Sequence, residues 1–235
     1  MRIYKFDEID STNKFLREKA DVMEGDLAIA KVQTLGRGRR GNKWVSTEGA
    51  ALFSFVLKHD IEIPEEEYMK LPLLIGYSLL YSLKKIENLD YKFKWTNDLY
   101  LDEKKISGIL VEKIRDNYII GIGLNINNLN LEEAKSIAIS LREKTGKTYD
   151  LEKVIATVVE DFYNNFQEFK KGKWKEILEK INEVNYLYGK RINIVTFDKE
   201  ESGIAGDILE DGMLEVFIGN EIKKYNIGSI HISKK

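Results

Sequence analysis

The stretch Gln33-Thr34-Leu35-Gly36-Arg37-Gly38-Arg39-Arg40-Gly41-Asn42-Lys43-Trp44 interleaves glycines with arginines and a lysine. Glycines let a backbone approach a ligand closely, while amides and guanidinium groups oppose negative charge. Such a loop suits an anionic ligand that it covers. Ser11-Thr12-Asn13 groups two hydroxyls and an amide just before a helical run, a set suited to carbonyl or carboxylate oxygens or simply to capping that helix. Gln33 brings an amide that both donates and accepts, Asn97-Asp98 ends a strand-like run, and Lys105 precedes Gly108 and a buried run. With no cysteine, and with His59 and His231 far apart, thiol chemistry is excluded and nothing points to a Ser-His-Asp triad or a histidine-rich zinc site. Chemistry here must run on Lys, Arg, carboxylates, amides and backbone.

These residues need elements to hold them. Alternation predicts strands over residues 2–6, 26–32, 51–57 and 91–95, so the glycine-arginine loop joins two strands. Phe15, Leu16, Lys19, Ala20 and Met23 fall at helical spacing behind Ser11 or Thr12 as N-cap. Pro64 and Glu65-Glu66-Glu67 open a long amphipathic helix, which Pro72 is expected to kink or break. Asp98 reads as a turn residue or cap. Residues 105–112 and 118–127 form a hairpin turned at Asp116-Asn117; Gly121 and Gly123 inside its return strand are costly unless a backbone or ligand comes close. Helices are predicted over 131–144, from Asp150 through Phe166, and over 174–185. Beyond Gly189 short strands over 191–197, 203–209, 213–218 and 221–232, with turns at Asp211-Gly212 and Gly219-Asn220, predict a small β-barrel.

The 235 residues suffice for one full core plus an appendage, and 43% apolar with 32% charged residues is ordinary globular composition. A net charge of −2 argues against a broad nucleic-acid or anionic-membrane footprint, so the basic cluster is a local site. The chain opens without a signal-like segment and no run reaches the length of a membrane span, which makes the cytoplasm the default expectation; absent cysteine fits a reducing compartment.

Taken together and in order, Ser11-Thr12-Asn13, Gln33 with Gly36-Arg37-Gly38-Arg39-Arg40-Gly41 and Trp44, Trp95-Thr96-Asn97-Asp98, Lys105-Ile106-Ser107-Gly108-Ile109-Leu110-Val111-Glu112 and Gly121-Ile122-Gly123-Leu124-Asn125-Ile126-Asn127 resemble the biotin protein ligases. The resemblance implies an α+β fold: a mixed, mainly antiparallel sheet flanked by helices, as in class II synthetase-like biotin/lipoate ligase domains, plus a C-terminal SH3-like β-barrel. It implies a catalytic biotin/ATP-binding domain over 1–187 and a β module over 188–235. Two departures are visible. Thr96 stands where relatives commonly have proline, and the chain begins directly at the catalytic strand, so neither a winged-helix module nor a repressor role is expected.

The reaction implied has two steps. Biotin's carboxylate attacks the α-phosphorus of ATP to give biotinyl-5′-AMP and pyrophosphate, and a lysine of a biotin carboxyl carrier protein then takes the acyl group. By resemblance Lys105 and Arg39 are catalytic; Ser11, Thr12, Asn13, Gln33, Gly36, Arg37, Gly38, Arg39, Lys105 and Gly108 bind biotin. Arg37, Arg39, Arg40, Trp44, Asn97, Lys105 and Asn125 bind ATP or the adenylate. Asp98 either holds magnesium or orients Lys105. A homodimer is expected by analogy. Two other readings compete: a lipoate or octanoate attachment enzyme, against which the polar Ser-Thr-Asn plus Gln set speaks, and a nucleic-acid-binding module, against which the slightly acidic balance speaks.

Overall fold

The computed structural model describes residues 2–131, 134, 136–196, 199–226 and 228–232. Seven strands make one mixed sheet: β1 (Ile3–Ile9), β2 (Leu27–Gln33), β3 (Ala51–Lys58), β4 (Lys92–Lys94), β5 (Asp98–Leu101), β6 (Lys104–Ile114) and β7 (Asn117–Leu124), in the order β1-β2-β3-β7-β6-β5-β4. Only β1 and β2 pair in parallel; the other neighbours are antiparallel. The helices are α1 (Thr12–Glu18), α2 (Leu71–Ile86), α3 (Leu141–Thr145), α4 (Leu151–Lys170) and α5 (Trp174–Glu183).

The period of two in β3 assigns the sheet's faces. Phe53, Phe55 and Leu57 enter the large core with α2, α4 and α5, whereas Val56 turns to the other face and packs with Leu16 of α1, Ala28 and Ile119. Ser54, two residues before Val56, shares that second face. It is fully buried, in a run otherwise apolar, and so needs hydrogen-bond partners.

Several expectations are corrected. Helix α1 does start on Ser11, whose side chain accepts from the Lys14 N–H, but it stops at Glu18 because Lys19 is extended. Ala20 and Met23 lie beyond it, where the buried Asp26 carboxylate gathers the Met23 N–H and the Arg2 side chain in place of helical bonding. The break expected at Pro72 is present: Glu65–Lys70 form a separate 3-10 helix, and Pro72 sits in the first turn of α2, where its missing N–H costs little. Asp98 is no turn residue: it opens β5, paired to Lys94 on one side and Gly108 on the other. The 117–124 return strand turns at Arg115-Asp116, with Arg115 left-handed at φ 54°.

The predicted helix over 131–144 shrinks to α3, capped by Ser140; residues 132, 133 and 135 of that span lie outside the described set. Its middle pairs with β6 instead: Lys105 N–H donates to Ile137 O at 2.8 Å and Ile139 N–H to Lys105 O at 3.0 Å. Strand pairing to a core sheet outcompetes a short polar helix there.

A second sheet, β8 (Arg191–Val195), β9 (Glu200–Ile208), β10 (Leu214–Ile218), β11 (Glu221–Tyr225) and β12 (Ser229–Ile232), is antiparallel in the order β11-β10-β9-β8-β12 and consistent with an SH3-like module. The single strand expected over 221–232 is therefore two, on opposite edges; Phe197, expected at the end of the first strand, lies outside the described residues. Trp95, just beyond β4, and Trp174, the first residue of α5, hold the β9–β10 turn of this sheet through indole N–H donors to Gly212 O (2.9 Å) and Glu210 O (2.7 Å).

Candidate functional site

One cavity of about 260 Å³ opens on the α1 face, between the first sheet, the 33–44 loop and β12. One end is a buried polar network. Thr12 N–H donates to Gln33 Oε1 at 2.7 Å, Thr12 Oγ1 and Ser54 Oγ are 2.6 Å apart, and Ser54 Oγ donates to Asn13 Oδ1 at 2.5 Å. The start of α1 and the end of β2 thus meet over β3. A Cβ at Gly121 would overlap the Asn13 amide and one at Gly123 the Trp44 indole. The two glycines of β7 therefore make room for side chains, not for a backbone or ligand as the sequence suggested.

The other end is cationic. Arg37, Arg39, Arg40, Lys43, Lys94 and Lys105 all line the cavity, and among the described residues lining it Asp98 is the sole carboxylate. Lys105 Nζ lies 2.7 Å from Asp98 Oδ1, an ion pair, and 5.6 Å over the Trp44 ring. Arg39 donates to Thr96 Oγ1 and, at 3.0 Å, to Asn97 Oδ1, while Asn97 Nδ2 donates to Ile109 O. Burial pulls the Arg39 guanidinium below its ordinary value, with Arg40 adding and Asp98 opposing. Burial likewise lowers Lys94, which Asp98 opposes and Lys105 and Lys190 reinforce. Cations held desolvated and close together, at this cost, fit a site made for a polyanion.

The loop is a small hairpin. Gly38 N–H donates to Asn42 O (2.7 Å), Trp44 N–H donates to Gly36 O (3.0 Å), and the tip uses left-handed Arg40 and Gly41. Arg37 pairs with Glu112 at 3.3 Å, and Arg40 reaches Ser229 Oγ (2.9 Å) and Val195 O (3.0 Å) in the second sheet. Among the described residues the buried Trp44 indole N–H finds no hydrogen-bond partner.

Of the sequence-predicted residues, Ser11, Thr12, Asn13, Gln33, Arg37, Gly38, Arg39, Arg40, Trp44, Asn97, Asp98, Lys105 and Gly108 line this cavity. Gly36 does not; a Cβ there would meet Trp44 O at 2.6 Å, so it serves the hairpin. Asn125 does not either: it is buried, accepting from Asn128 Nδ2 at 3.0 Å. Thr96 follows a cis peptide bond at Trp95. Sequence reasoning missed Ser54, Lys94 and the β12 residues Ser229 to His231. A lone serine in an apolar run was the available sign for Ser54; Lys94 and β12 carried none.

Comparison with known proteins follows the same line. The model of the biotin/lipoate A/B protein ligase family matches residues 6–127. The chain is 31% identical over 230 residues to the bifunctional ligase/repressor BirA of Escherichia coli, covering 91% of this chain and 71% of that protein. It is 25% identical over 215 residues to the biotin–[acetyl-CoA-carboxylase] ligase of Mycobacterium tuberculosis, covering 90% and 80%. Among solved structures, the Aquifex aeolicus biotin protein ligase in complex with biotin and ATP superposes with a TM-score of 0.90 at 33% identity over 99% of both chains.

Proposed function

The chain belongs to the biotin/lipoate A/B protein ligase family, and from that membership we propose how its cavity activates biotin with ATP and passes it to a carrier lysine. The observation that carries the reading is the cavity's polarity: a neutral hydrogen-bonding pocket at one end and six cations against one carboxylate at the other. A biotin ureido head suits the first and a triphosphate the second. Plain acyl chains, as of lipoate or octanoate, would leave the Thr12 hydroxyl oxygen and the Gln33 amide N–H groups without a ligand partner, at a cost of about 1–3 kcal/mol each.

Biotin's carboxylate is a weak nucleophile, and the first transition state gathers negative charge on phosphoryl oxygens. Catalysis here is positioning and charge stabilisation. Lys105 bridges the biotin carboxylate and the α-phosphate, aimed by Asp98 and by its backbone pairing to residues 137–139. Arg39, braced on Thr96 and Asn97, opposes the same charge. Arg37, Gly38, Arg40 and Trp44 cover the adenylate and exclude water from a labile mixed anhydride. The geometry gives least support to Asn125 as an adenine contact.

Magnesium would arrive with ATP. Among the described residues no cluster of three metal-ligating side chains exists, and Asp98 is engaged by Lys105. That arrangement fits an ion held chiefly by phosphate oxygens and water, with Asp98 as the one carboxylate in reach. Orienting Lys105 is the role of Asp98 that its contacts favour. The proposal extends to a body over 1–187 and a module over 188–235, to a biotin carboxyl carrier domain as acceptor, and to a cytoplasmic homodimer joined through the β1 edge. Absent cysteine and the alternating, half-exposed β1 support the last two.

Pyrophosphate release from ATP with biotin, and separately with lipoate, tests the function. Release with biotin alone is expected; release with lipoate alone would overturn it.

A further inference from the structure

Glu112 stands on β6 outside the polar pocket, yet it ends the hydrogen-bond chain that lines it. Its Oε2 accepts from Asn13 Nδ2 at 3.0 Å, and its Oε1 lies 3.3 Å from guanidinium nitrogens of both Arg17 and Arg37. A carboxylate between two guanidinium groups accepts hydrogen bonds and donates none. The Asn13 amide is therefore turned with its nitrogen to Glu112 and its oxygen to Ser54, which donates to it. Serine has a single hydroxyl proton, so the 2.6 Å contact between Ser54 and Thr12 must be donated by Thr12. Gln33 Oε1, 3.1 Å from the Thr12 hydroxyl, is served instead by the Thr12 backbone N–H at 2.7 Å.

Two groups are then left to meet a ligand: a lone pair on Thr12 Oγ1 and the Nε2 hydrogens of Gln33. Thr12, Asn13 and Ser54 are at most 4% exposed, so solvent does not reset the direction. We infer that Glu112 is a positioning residue that fixes the polarity of the relay Thr12→Ser54→Asn13→Glu112. Through the relay it sets the pocket to take a ligand with a carbonyl oxygen at Gln33 and an N–H at Thr12. This rests on the ligase reading, in which that pocket holds the biotin ureido group.

A neutral amide at position 112 can donate, which permits the Asn13 amide to turn over. Ser54 then donates to Thr12, and Thr12 presents its proton, not its lone pair, to the ligand. Calorimetric titration with biotin and with its cyclic carbamate analogue, in which a ring oxygen that accepts stands where biotin gives a ring N–H to Thr12, reads this directly. In Glu112→Gln the affinity for biotin is expected to fall about tenfold, as for one misdirected buried hydrogen bond, and that for the carbamate analogue to fall less. The ratio of the two thereby narrows. Ser54→Ala, which cuts the relay in its middle, should narrow the ratio in the same sense and serves if the first variant is poorly folded. A ratio unchanged from the parent chain in a folded variant would overturn the inference, because a merely structural loss lowers both affinities alike. Failure of the unaltered chain to bind biotin would instead overturn the ligase reading and this inference with it.

Discussion

Replacing Lys105 by alanine tests the chemistry most directly. The lysine Nζ sits 2.7 Å from Asp98 Oδ1, so truncation does two things at once. It removes a charge-assisted donor from the transition state, worth about 10²- to 10³-fold in rate for a single group aimed at developing charge. It also leaves Asp98 without its ion-pair partner; at an effective dielectric of about 20, two unit charges roughly 8 Å apart repel by about 2 kcal/mol, which the remaining Arg39 and Lys94 charges beside Asp98 reduce to a further factor of about ten. Adenylation, followed as pyrophosphate release with biotin and ATP, should therefore fall by about 10³- to 10⁴-fold. Biotin affinity, measured by calorimetry, should change little, because the ureido pocket lies at the other end. The Lys105→Ala/Asp98→Asn double variant should regain about tenfold over the single one, since the exposed charge is gone. An adenylation loss below tenfold, or lost biotin binding with normal turnover of what binds, would refute this account of Lys105. Absence of any regain in the double variant would refute the role given to Asp98.

Three more outcomes are expected. Gly121→Ala, whose new methyl meets the Asn13 amide, should abolish measurable biotin binding and destabilise the fold by about 1–3 kcal/mol, checked by titration and denaturant unfolding. The 36–43 hairpin should be cleaved by protease more slowly in the presence of biotin and ATP than alone; equal rates would argue against its acting as a cover. Arg2→Ala should lower the unfolding midpoint near neutral pH. Burial pushes the Asp26 carboxyl up, but hydrogen bonds from the Arg2 side chain and from the Met23 and Arg2 amides outweigh it and hold it below its ordinary value. A lowered carboxylate pKa stabilises above the ordinary carboxylate range and is lost as pH falls through the folded value, so the difference between variant and parent should shrink in acid.

How far the sequence could be read depended on what each residue answers to. The glycine-arginine loop, the Ser11 cap and the β6–β7 hairpin were legible because local chemistry decides them. Asp98 was misread because Thr96-Asn97-Asp98 has turn composition, while pairing on both sides makes it a strand residue. The 131–144 helix failed for a related reason: its backbone bonds go to Lys105, a partner that no local pattern names. Ser54 and Gly121 each left a sign, a polar or missing side chain inside an apolar strand, but which element fills the gap is a matter of tertiary packing. Glu112 was visible only as the last letter of a motif, since its partners on α1 and the loop are 99 and 75 positions away in the chain.

The reach of Arg40 across to Ser229 and the Val195 carbonyl bears on engineering. Residues 229–231 form part of the cavity wall, so the C-terminal sheet is not a detachable handle for the carrier protein. A chimera that took residues 188–235 from a relative would inherit a different anchor for the hairpin tip, and would be retuned in its first chemical step before it ever met a new carrier.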